Sequence, residues 1–278
     1  MRGEGAEGTH GLGSRTQGIR EIAARLSNNR EYVFVDTPGF NDPDRSARDV
    51  LQMIADWLER KYRGGALLTG VIYTHRIANH QMDRLMCKSL DIFCCICGDK
   101  AAGRVRLVST MWDQVKDPSA AEAMVSRLEG NFWKPLLDAG ARHMRFENSK
   151  QSAWDIVKDL GAGGEALLLQ QELVDAERTL YETFAGRTLY LQLQQLLQEE
   201  LEIRKQLLGV SGMRTVRSPI MQQLKVECKS IETQLQSARR ARRRQEMRHQ
   251  SYWRRLSSLF FNPTVAIPEV TENDLVIL

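Results

Sequence analysis

The stretch YVFVDTPGF, residues 32–40, decides how the rest of the chain is interpreted. Its first four residues are β-branched or aromatic, which favours a buried β-strand. Asp-Thr-Pro-Gly follows, and Pro and Gly are typical of a turn that ends a strand. An amphipathic helix is predicted next. Asp36 is therefore expected at the carboxyl end of a strand in an open α/β sheet, where ligands bind.

Length and composition indicate a globular protein of a reducing compartment. The chain has 278 residues, enough for one or two domains, and 42% of them are hydrophobic. No apolar run approaches the roughly 20 residues of a membrane span. Residues 1–14 are Gly-rich and polar, so we do not expect a signal peptide. Cys94, Cys95 and Cys97 crowd one apolar stretch without further ligands at zinc spacing, which favours buried thiols and a cytoplasmic protein.

Positive charge is concentrated in one segment. Residues 239–255 contain eight Arg and one Glu, a net charge of +7, whereas the whole chain carries +4, so the remainder carries −3. One interpretation is a solvated helix end whose arginines favour the helix dipole. The other is attachment to an anionic membrane, where each charge contributes about 1 kcal/mol. Trp253 and Phe260 lie within or just after the segment and suit an interfacial helix, which predicts a membrane-peripheral location.

Strand and helix patterns alternate along the first 160 residues. Strands are predicted at residues 31–36, 67–73, 105–109 and 143–146. An earlier one is predicted within 15–26 and pairs with 31–36 through the turn at 27–30, although that segment also shows helical spacing. Two Asp-Pro pairs, Asp42-Pro43 and Asp117-Pro118, match an N-cap followed by Pro and predict helix starts. Further helices are predicted at residues 80–97, 132–137 and 153–160. This alternation predicts an α/β fold with a mostly parallel sheet and helices on both faces.

Beyond a Gly-rich break at residues 161–164 the pattern becomes helical. Residues 165–208 carry a leucine stripe, glycines at 209–212 interrupt it, and Ser218-Pro219 predicts the start of another helix. In that helix a narrow apolar face, suited to a coiled coil or helical hairpin, is formed by Ile220, Leu224, Cys228, Ile231 and Leu235. We predict a globular domain over residues 1–160, a helical region over 161–258 and a loose tail over 259–278.

The order of these motifs resembles that of fungal septin-like or immune-associated-like GTPases. The resemblance covers roughly residues 9–210 and is carried by DTPGF, GVIYTHRI at 70–77, STMWD at 109–113, NFWKPLLDAGA at 131–141, SAWDIV at 152–157 and ETFAGRTLYLQLQQLLQEEL at 182–201. It implies a P-loop GTPase-like G domain over residues 1–160, N-terminally incomplete and followed by a coiled-coil region. It also implies that GTP or GDP binds together with Mg²⁺.

On the phosphate side, the resemblance assigns Asp36, Thr37 and Gly39 to the Walker-B/G3 element. In that element the Asp helps to hold Mg²⁺ and the Gly N–H meets the γ-phosphate. Thr16 resembles the switch Thr whose oxygen meets Mg²⁺ when GTP is bound, so Thr16 and Asp36 are the metal ligands that the resemblance implies. An ordinary strand-end turn and a polar strand-edge Thr are simpler interpretations of the same residues.

On the base side, Thr110 to Asp113 stand where GTPases carry the [NT]KxD motif. There the Asp carboxylate accepts hydrogen bonds from guanine N1 and N2, which selects guanine because adenine lacks that donor pair. Met111 replaces the usual Lys with a comparable stem that carries no charge. Asn148 and Ser149 resemble the weak G5 loop, whose backbone meets the base. For both motifs, an ordinary strand-to-helix turn is the simpler alternative.

The largest departure from the family is an absence. No Gly-Lys dipeptide occurs, so there is no GxxxxGK[ST] loop to bind the β- and γ-phosphates. Relative to the family, a strand, phosphate loop and helix of roughly 30 residues are missing. The missing strand is central in the family, so the DTPG and GVIY strands must pair directly or leave backbone groups unpaired. An incomplete gene model and a degenerate G domain both stay open, and the retained motifs favour truncation.

One further pair, His75 and Arg76, is predicted to follow a strand at the ligand-facing edge. His75 is a candidate to orient water or to bridge a dimer across the nucleotide. A helix cap or a local pairing is the simpler role for such a histidine.

Two classes of function stay open. In a nucleotide switch, GTP and Mg²⁺ would order the residues near Thr16 and Gly39, and hydrolysis would release them. Without the phosphate loop we expect weak binding, GTPase activity stays open, and no catalytic residue is assigned. The alternative is a non-catalytic scaffold that joins a pseudo-G domain to helices for assembly. The candidate partners are GTP or GDP, a second copy bound through the G domain or the helices, and an anionic membrane; nucleic acid ranks last.

Overall fold

The computed structural model describes residues 18–25, 31–40, 42, 44–78, 84–160, 163–211 and 219–260. The chain divides into two compact units, Met1–Glu232 and Thr233–Leu278. Thr16 and most of the predicted tail lie outside the described residues.

Within the described part, the first unit is a helix-rich α/β structure. Its strands are β1 Arg20–Arg25, β2 Glu31–Asp36, β3 Val71–Arg76, β4 Val105–Thr110 and β5 Arg142–Arg145. The helices of the chain are α1 Ala47–Arg63, α2 Arg84–Cys97, α3 Pro118–Arg127, α4 Lys134–Asp138, α5 Lys150–Lys158, α6 Leu168–Gln170, α7 Phe184–Ser211 and α8 Pro219–Phe260. Short 3₁₀ or π turns cover Ala102–Arg104, Trp112–Gln114, Leu128–Phe132, Gln171–Asp175 and Leu180–Glu182.

The described strands form two sheets rather than one. β1 and β2 pair antiparallel, with Arg20 opposite Asp36 and Arg25 opposite Glu31, which confirms the predicted pairing of these segments. β3, β4 and β5 form a separate parallel sheet in that order. The expectation that Asp36 ends a strand of the parallel sheet is therefore wrong, because the described partner of its strand is β1.

The third strand lies further along the chain than its apolar run predicted. The prediction was residues 67–73, whereas β3 covers Val71–Arg76. The parallel ladder with β4 continues to a pair between Arg76 and Thr110, so pairing carries the strand into polar residues. Leu68 instead forms an isolated antiparallel bridge with Glu165.

Helices cover both faces of β4, as the alternating pattern predicted. Leu107 belongs to a core that includes Phe93 of α2 and Val125 of α3. Val108 points to the opposite face, where it packs with Ile156 of α5. Neighbouring residues of a strand point to opposite faces, so β4 is buried on both sides.

Helices α1 and α3 each begin after a side chain that accepts a hydrogen bond from a backbone N–H, and only one of the two Asp-Pro pairs supplies that side chain. At the first pair the prediction of a start at 42–43 is wrong: Ser46 is the N-cap and accepts a hydrogen bond from Asp49 N, so α1 begins at Ala47. The Asp42 carboxylate instead accepts from Asp44 N at 2.9 Å, within a turn. At the second pair the prediction is confirmed, because Asp117 accepts from two backbone N–H groups at the start of α3.

The predicted continuous helix over residues 165–208 is wrong at its first half. There the chain forms short turns, and the long helix α7 begins only at Phe184. The buried carboxylate of Glu172 accepts a hydrogen bond from Phe184 N at 3.0 Å, which caps α7. Gly186 lies so close to the preceding turn that an added Cβ would be 2.1 Å from the Leu180 carbonyl oxygen. This close approach requires a break in the helix before residue 184.

The start of α8 is confirmed next to the predicted Ser218-Pro219 cap, and its residues up to Glu232 belong to the first unit. Tyr190 of α7 donates a hydrogen bond to Glu232 at 2.7 Å. Cys228 and Ile231 are buried, but Ile220 of the predicted apolar face is 65% exposed. The predicted coiled coil therefore stays a prediction.

The second unit contains the rest of α8, which is helical to Phe260. Residues 259 and 260, the first two of the predicted tail, are therefore helical, and the rest of that prediction lies outside the described residues. Among the described helices, none is long and apolar enough to cross a membrane.

Candidate functional site

The structure brings together the two loops that were predicted to contact the base. The loop at Thr110–Asp113 follows β4 and the loop at Glu147–Ser149 follows β5, so both lie at the carboxyl edge of the parallel sheet. The Phe146 N–H donates to the Ser109 carbonyl at 2.9 Å and joins the two strand ends. Carboxyl ends of parallel strands are the usual place for ligands in such sheets.

Both loops contain a residue in the left-handed region of backbone space. Met111 has φ 63° and Asn148 has φ 52°, and three non-glycine residues in the described part of the chain have positive φ. For Met this conformation costs roughly 1–2 kcal/mol. Strained residues of this kind cluster at ligand sites, where the surrounding structure holds them. The strain was not visible in the sequence.

The Asp113 carboxylate is exposed and makes no hydrogen bond within the described part of the chain. It lies in the short turn Trp112–Gln114, which is closed by a hydrogen bond from Gln114 N to the Met111 carbonyl at 3.2 Å. The residue is exposed, and its side chain has no hydrogen bond or ion pair with the described residues. Its two oxygens are therefore available as hydrogen-bond acceptors.

Thr110 and Ser149, also predicted to contact the nucleotide, have internal partners. The Thr110 hydroxyl donates to the His75 carbonyl at 3.3 Å, which ties the end of β4 to β3. The Ser149 side chain accepts a hydrogen bond from Ser152 N at 3.1 Å as the N-cap of α5. These hydroxyls hold the frame of the site, and their contact with a nucleotide stays a prediction.

The predicted phosphate-side residues lie on the other sheet. Asp36 ends β2 and Thr37 follows it, and both are exposed. The Gly39 carbonyl accepts a hydrogen bond from Asp42 N at 3.1 Å. An added Cβ at Gly39 would meet nothing within 4 Å, so the protein's own packing does not require glycine there. Packing of Phe34 against the α5 side of the parallel sheet links this ribbon to the rest of the unit.

The described residues contain no cluster of three or more His, Cys, Asp or Glu side chains that would hold a metal ion. Asp36 supplies a single carboxylate, and Thr16 lies outside the described residues. Mg²⁺ is commonly held by one or two carboxylates together with substrate phosphates. The Asp36 side chain thus fits Mg²⁺ only as part of a nucleotide complex.

His75 is not placed where it could meet a ligand. It lies within β3 and is 2% exposed, and its ring packs edge-on against Trp133 with 5.9 Å between ring centroids. The suggestion that it orients water or bridges a dimer is therefore wrong. The error follows from the strand shift described above, because β3 continues through this residue.

Next to the Asp113 turn the structure reveals a chain of polar side chains, buried at Ser109 and part-exposed at Glu129, that the sequence did not predict. Glu129 lies 2.7 Å from His143 Nδ1, and His143 Nε2 lies 2.9 Å from the Ser109 hydroxyl. Trp112 Nε1 donates to the same hydroxyl at 3.0 Å. These four residues come from separate elements. Only the contact between Ser109 and Trp112, three residues apart, joins neighbours in the sequence and could have been predicted from it.

The cysteine cluster lies on α2, as its apolar surroundings predicted. Burial raises the pKa of the Cys94 thiol to about 11 and also raises the pKa of Cys97, which is 1% exposed. The Cys95 thiol lies 3.3 Å from the Thr188 hydroxyl of α7, and burial raises its pKa as well. These thiols are therefore protonated at neutral pH and weakly nucleophilic.

Comparison with solved structures gives a weak likeness. No protein-family model and no curated protein sequence matches the chain. Among solved structures, it is similar to Toc33 from Arabidopsis thaliana, in the crystal structure of a dimerization-deficient mutant, with 16% identity and a TM-score of 0.38. The match covers 48% of this chain and 57% of that one, so the chain spans little more than half of its length. A likeness at this level does not establish a family.

Proposed function

We propose that the chain is a guanine-nucleotide-binding G-domain protein. The observation that carries the proposal is the exposed Asp113 carboxylate, which has no partner among the described residues and follows the left-handed Met111 at the carboxyl edge of a parallel sheet. The second left-handed residue, Asn148, lies in the neighbouring loop. Two strained loops beside an uncommitted acceptor suit recognition of a planar base.

The chemistry of Asp113 favours guanine over adenine. A carboxylate accepts two hydrogen bonds, and guanine offers N1–H and N2–H on one edge, whereas adenine lacks that donor pair. The Met111 side chain is half-buried and supplies an apolar stem that suits contact with the face of the base. The backbone of the Asn148 loop is the proposed second contact.

The phosphate side of the proposed complex is less complete. Asp36 is the proposed Mg²⁺ ligand, with Thr16, and Gly39 is the proposed γ-phosphate contact. When bound, Mg²⁺ neutralises phosphate charge. No Gly-Lys dipeptide occurs in the sequence given, so it contains no GxxxxGK[ST] loop, the strongest phosphate-binding element of P-loop proteins. We therefore propose base-dominated, weak binding, and assign hydrolysis to no residue.

A non-catalytic assembly role is the second proposal. Contiguous exposed apolar surface marks interaction sites, and α7 and α8 expose five large apolar residues: Phe184, Leu191, Ile203, Ile220 and Val226. In this proposal the helices bind a second copy of the chain. Sedimentation of the purified chain at micromolar concentration tests it: a monomer at every concentration contradicts self-association.

The test of nucleotide binding uses the full chain and monophosphates, because base recognition does not depend on the phosphate loop. Saturation-transfer NMR measures weak binding of GMP, AMP and XMP. We expect GMP to bind better than AMP, and Asp113→Asn to move the preference towards XMP, because the amide reverses one hydrogen-bonding partner. Asp99→Asn is the matched control, since Asp99 is exposed before β4, at the opposite edge of the sheet. Equal binding of GMP and AMP contradicts the proposal.

For the arginine segment we propose attachment to an anionic membrane, which makes the protein cytoplasmic and membrane-peripheral. α8 continues through the segment, and Arg239, Arg240, Arg243 and Arg244 are exposed. The test is co-sedimentation of the full chain with phosphatidylserine vesicles at low and high salt, beside a Trp253→Ala, Phe260→Ala variant. We expect salt-sensitive binding that the double variant weakens. Equal binding to neutral vesicles, or binding to neither, contradicts it.

A further inference from the structure

The indole of Trp112 is held from two directions. In the plane of the ring, Nε1 donates to the Ser109 hydroxyl at 3.0 Å and to the Ser109 carbonyl at 3.2 Å. Across the ring face, the Arg145 guanidinium lies 4.2 Å from the ring centroid and forms an ion pair with Glu122. A hydrogen bond and a cation–π contact together fix both the position and the tilt of an indole.

The Ser109 end of this anchor is itself fixed by His143. Trp112 N–H can only donate, so the Ser109 hydroxyl accepts from it and has its own hydrogen left to donate to His143 Nε2. His143 then carries its hydrogen on Nδ1 and donates it to Glu129 at 2.7 Å. The Met144 carbonyl lies 3.5 Å from the same hydroxyl, so we take the shorter bond to His143 as the one that sets the direction of donation. Ser109 is 0% exposed, so water is excluded at its hydroxyl.

Glu, His and Ser in this order also form the hydrolytic triad of many enzymes. Here that role is excluded by access, because the fully buried Ser109 hydroxyl has no path to a substrate and already accepts a hydrogen bond from Trp112. The chain of bonds points instead towards the turn that carries Asp113. Its effect must therefore be structural at that turn.

One strand supplies both supports of Trp112. His143 and Arg145 are two residues apart on β5, and side chains two apart point to the same face of a strand. Asp113 directly follows Trp112 in the same short turn. Fixing the indole therefore fixes the direction in which the next residue presents its carboxylate.

We infer that His143 and Arg145 are positioning residues for base recognition by Asp113, acting through Trp112. The inference rests on the proposed guanine binding and names the groups that set its selectivity. A carboxylate must be held in place to bind two neighbouring N–H groups at once, and a turn that rotates loses one of those bonds. Loss of one hydrogen bond corresponds to about a tenfold loss of affinity.

The first arm of the test needs no nucleotide. The full chain contains five Trp residues, so ¹⁵N–¹H NMR shows their indole N–H groups separately, and Trp112→Phe identifies one of them. Ser109→Ala and Arg145→Gln should move the Trp112 resonance and leave the others in place. The matched controls are Ser126→Ala, whose hydroxyl donates to the Glu122 carbonyl on α3, and Arg142→Gln, which replaces the arginine on the opposite face of β5.

The second arm measures the preference for GMP over AMP with the same variants. We expect Arg145→Gln and His143→Leu to reduce the preference about tenfold by weakening GMP, with AMP unchanged, whereas Arg142→Gln keeps it. A purely structural role would weaken both nucleotides together. Arg145 is part-exposed, so its variant remains informative if Ser109→Ala fails to fold.

The possible outcomes distinguish a failure of the positioning role from a failure of the proposed guanine binding. A wild-type preference for GMP that survives in Arg145→Gln and His143→Leu overturns the inference and leaves the proposed function standing. A moved Trp112 resonance with an unchanged preference has the same meaning. A wild-type protein without any preference for GMP overturns the proposed function, and the inference with it.

Discussion

The base side and the phosphate side of the proposed site are built on different supports. The base-side loops follow β4 and β5, in a parallel sheet where β4 is buried on both faces, and their key turn is anchored through Trp112. The phosphate-side turn follows β2, whose described strand partner is β1. In that ribbon, Ile22 and Val33 are 54% and 57% exposed.

The difference concerns rigidity. A two-stranded ribbon is marginally stable in water unless it packs on something else. Here Phe34 packs on the α5 side of the parallel sheet, and Glu21 binds Trp57 and Lys61 of α1. The base side is therefore pre-organised by the core, whereas the phosphate side depends on a few surface contacts. Each prediction below changes a residue that supports or strains one of the two sides and names the measurement that reports the effect.

The largest effect is expected from Trp133→Ala, which removes support beneath the base side. Trp133 is fully buried between His75 and His143, with ring centroids 5.9 and 5.1 Å away. Truncating a buried Trp costs about 3–5 kcal/mol because a large cavity remains. The midpoint of urea unfolding measures the loss.

The control for this change is Trp133→Phe, which keeps most of the ring. It also removes an indole N–H that has no hydrogen-bond partner within the described part of the chain. We expect a loss below about 1.5 kcal/mol. A loss below 1 kcal/mol for Trp133→Ala, about the size expected at a surface site, contradicts the idea that the core supports the base side.

A smaller and more local effect is expected from Phe34→Ala. Phe34 is half-buried, so its removal should cost about 1–2 kcal/mol, half the value for a fully buried Phe. Hydrogen exchange should rise across β2 while β4 stays protected, because the ribbon detaches and the sheet remains. Val33→Ala, on the exposed face of the same strand, is the matched control. Equal loss of protection in β4 contradicts the separation of the two sides.

Local sequence signals predicted the elements that local residues determine. The strand at Tyr32–Val35 and the cap at Asp117 follow from residues within a few positions. The sequence failed where distant contacts decide. β3 extends into polar residues because β4 pairs with it, and α7 begins late because Gly186 packs against the preceding turn.

The candidate site divides in the same way. Asp113 was predicted from its motif, and the structure places it in an exposed turn at the sheet edge. The partner of the Thr110 hydroxyl and the contacts from β5 that support Trp112 were not predicted, because they join residues 33 to 35 positions apart in sequence. No periodic pattern reports a side-chain hydrogen bond between distant elements. The sequence therefore indicated the proposed recognition residue, Asp113, and missed the groups that hold its turn.

A third prediction concerns strain on the base side. Met111 has φ 63°, which costs an L-residue roughly 1–2 kcal/mol, whereas Gly adopts this conformation freely. Met111→Gly should therefore raise the free energy of unfolding by about 0.5–1 kcal/mol after the entropy cost of Gly. Gln114→Gly, in the same turn but with negative φ, should lower it by a similar amount. Loss of stability in both variants, measured by urea unfolding, contradicts strain at Met111.

The smallest effect is expected from the carboxylate that ties the ribbon to α1. Glu21 accepts hydrogen bonds from Lys61 Nζ and from Trp57 Nε1, each at 2.9 Å. The hydrogen bond from Lys61, followed by that from Trp57, lowers the pKa of Glu21 below its ordinary value of 4.5. A carboxyl whose pKa is lowered by folding stabilises the folded state above its unfolded pKa. This stabilisation is lost as the pH falls through the folded pKa.

The test compares wild type with Glu21→Gln across that window by hydrogen exchange in β1. At pH 6 the wild-type ribbon should be better protected than the variant, and the difference should shrink as the pH falls from 4.5 towards 3. Glu59→Gln is the control, because Glu59 pairs with Arg63 within α1 and does not reach the ribbon. A difference that persists unchanged at pH 3 means that the Glu21 charge does not hold the ribbon. The attachment would then rest on Phe34 alone among the contacts tested, and the phosphate side would be more loosely held than we infer.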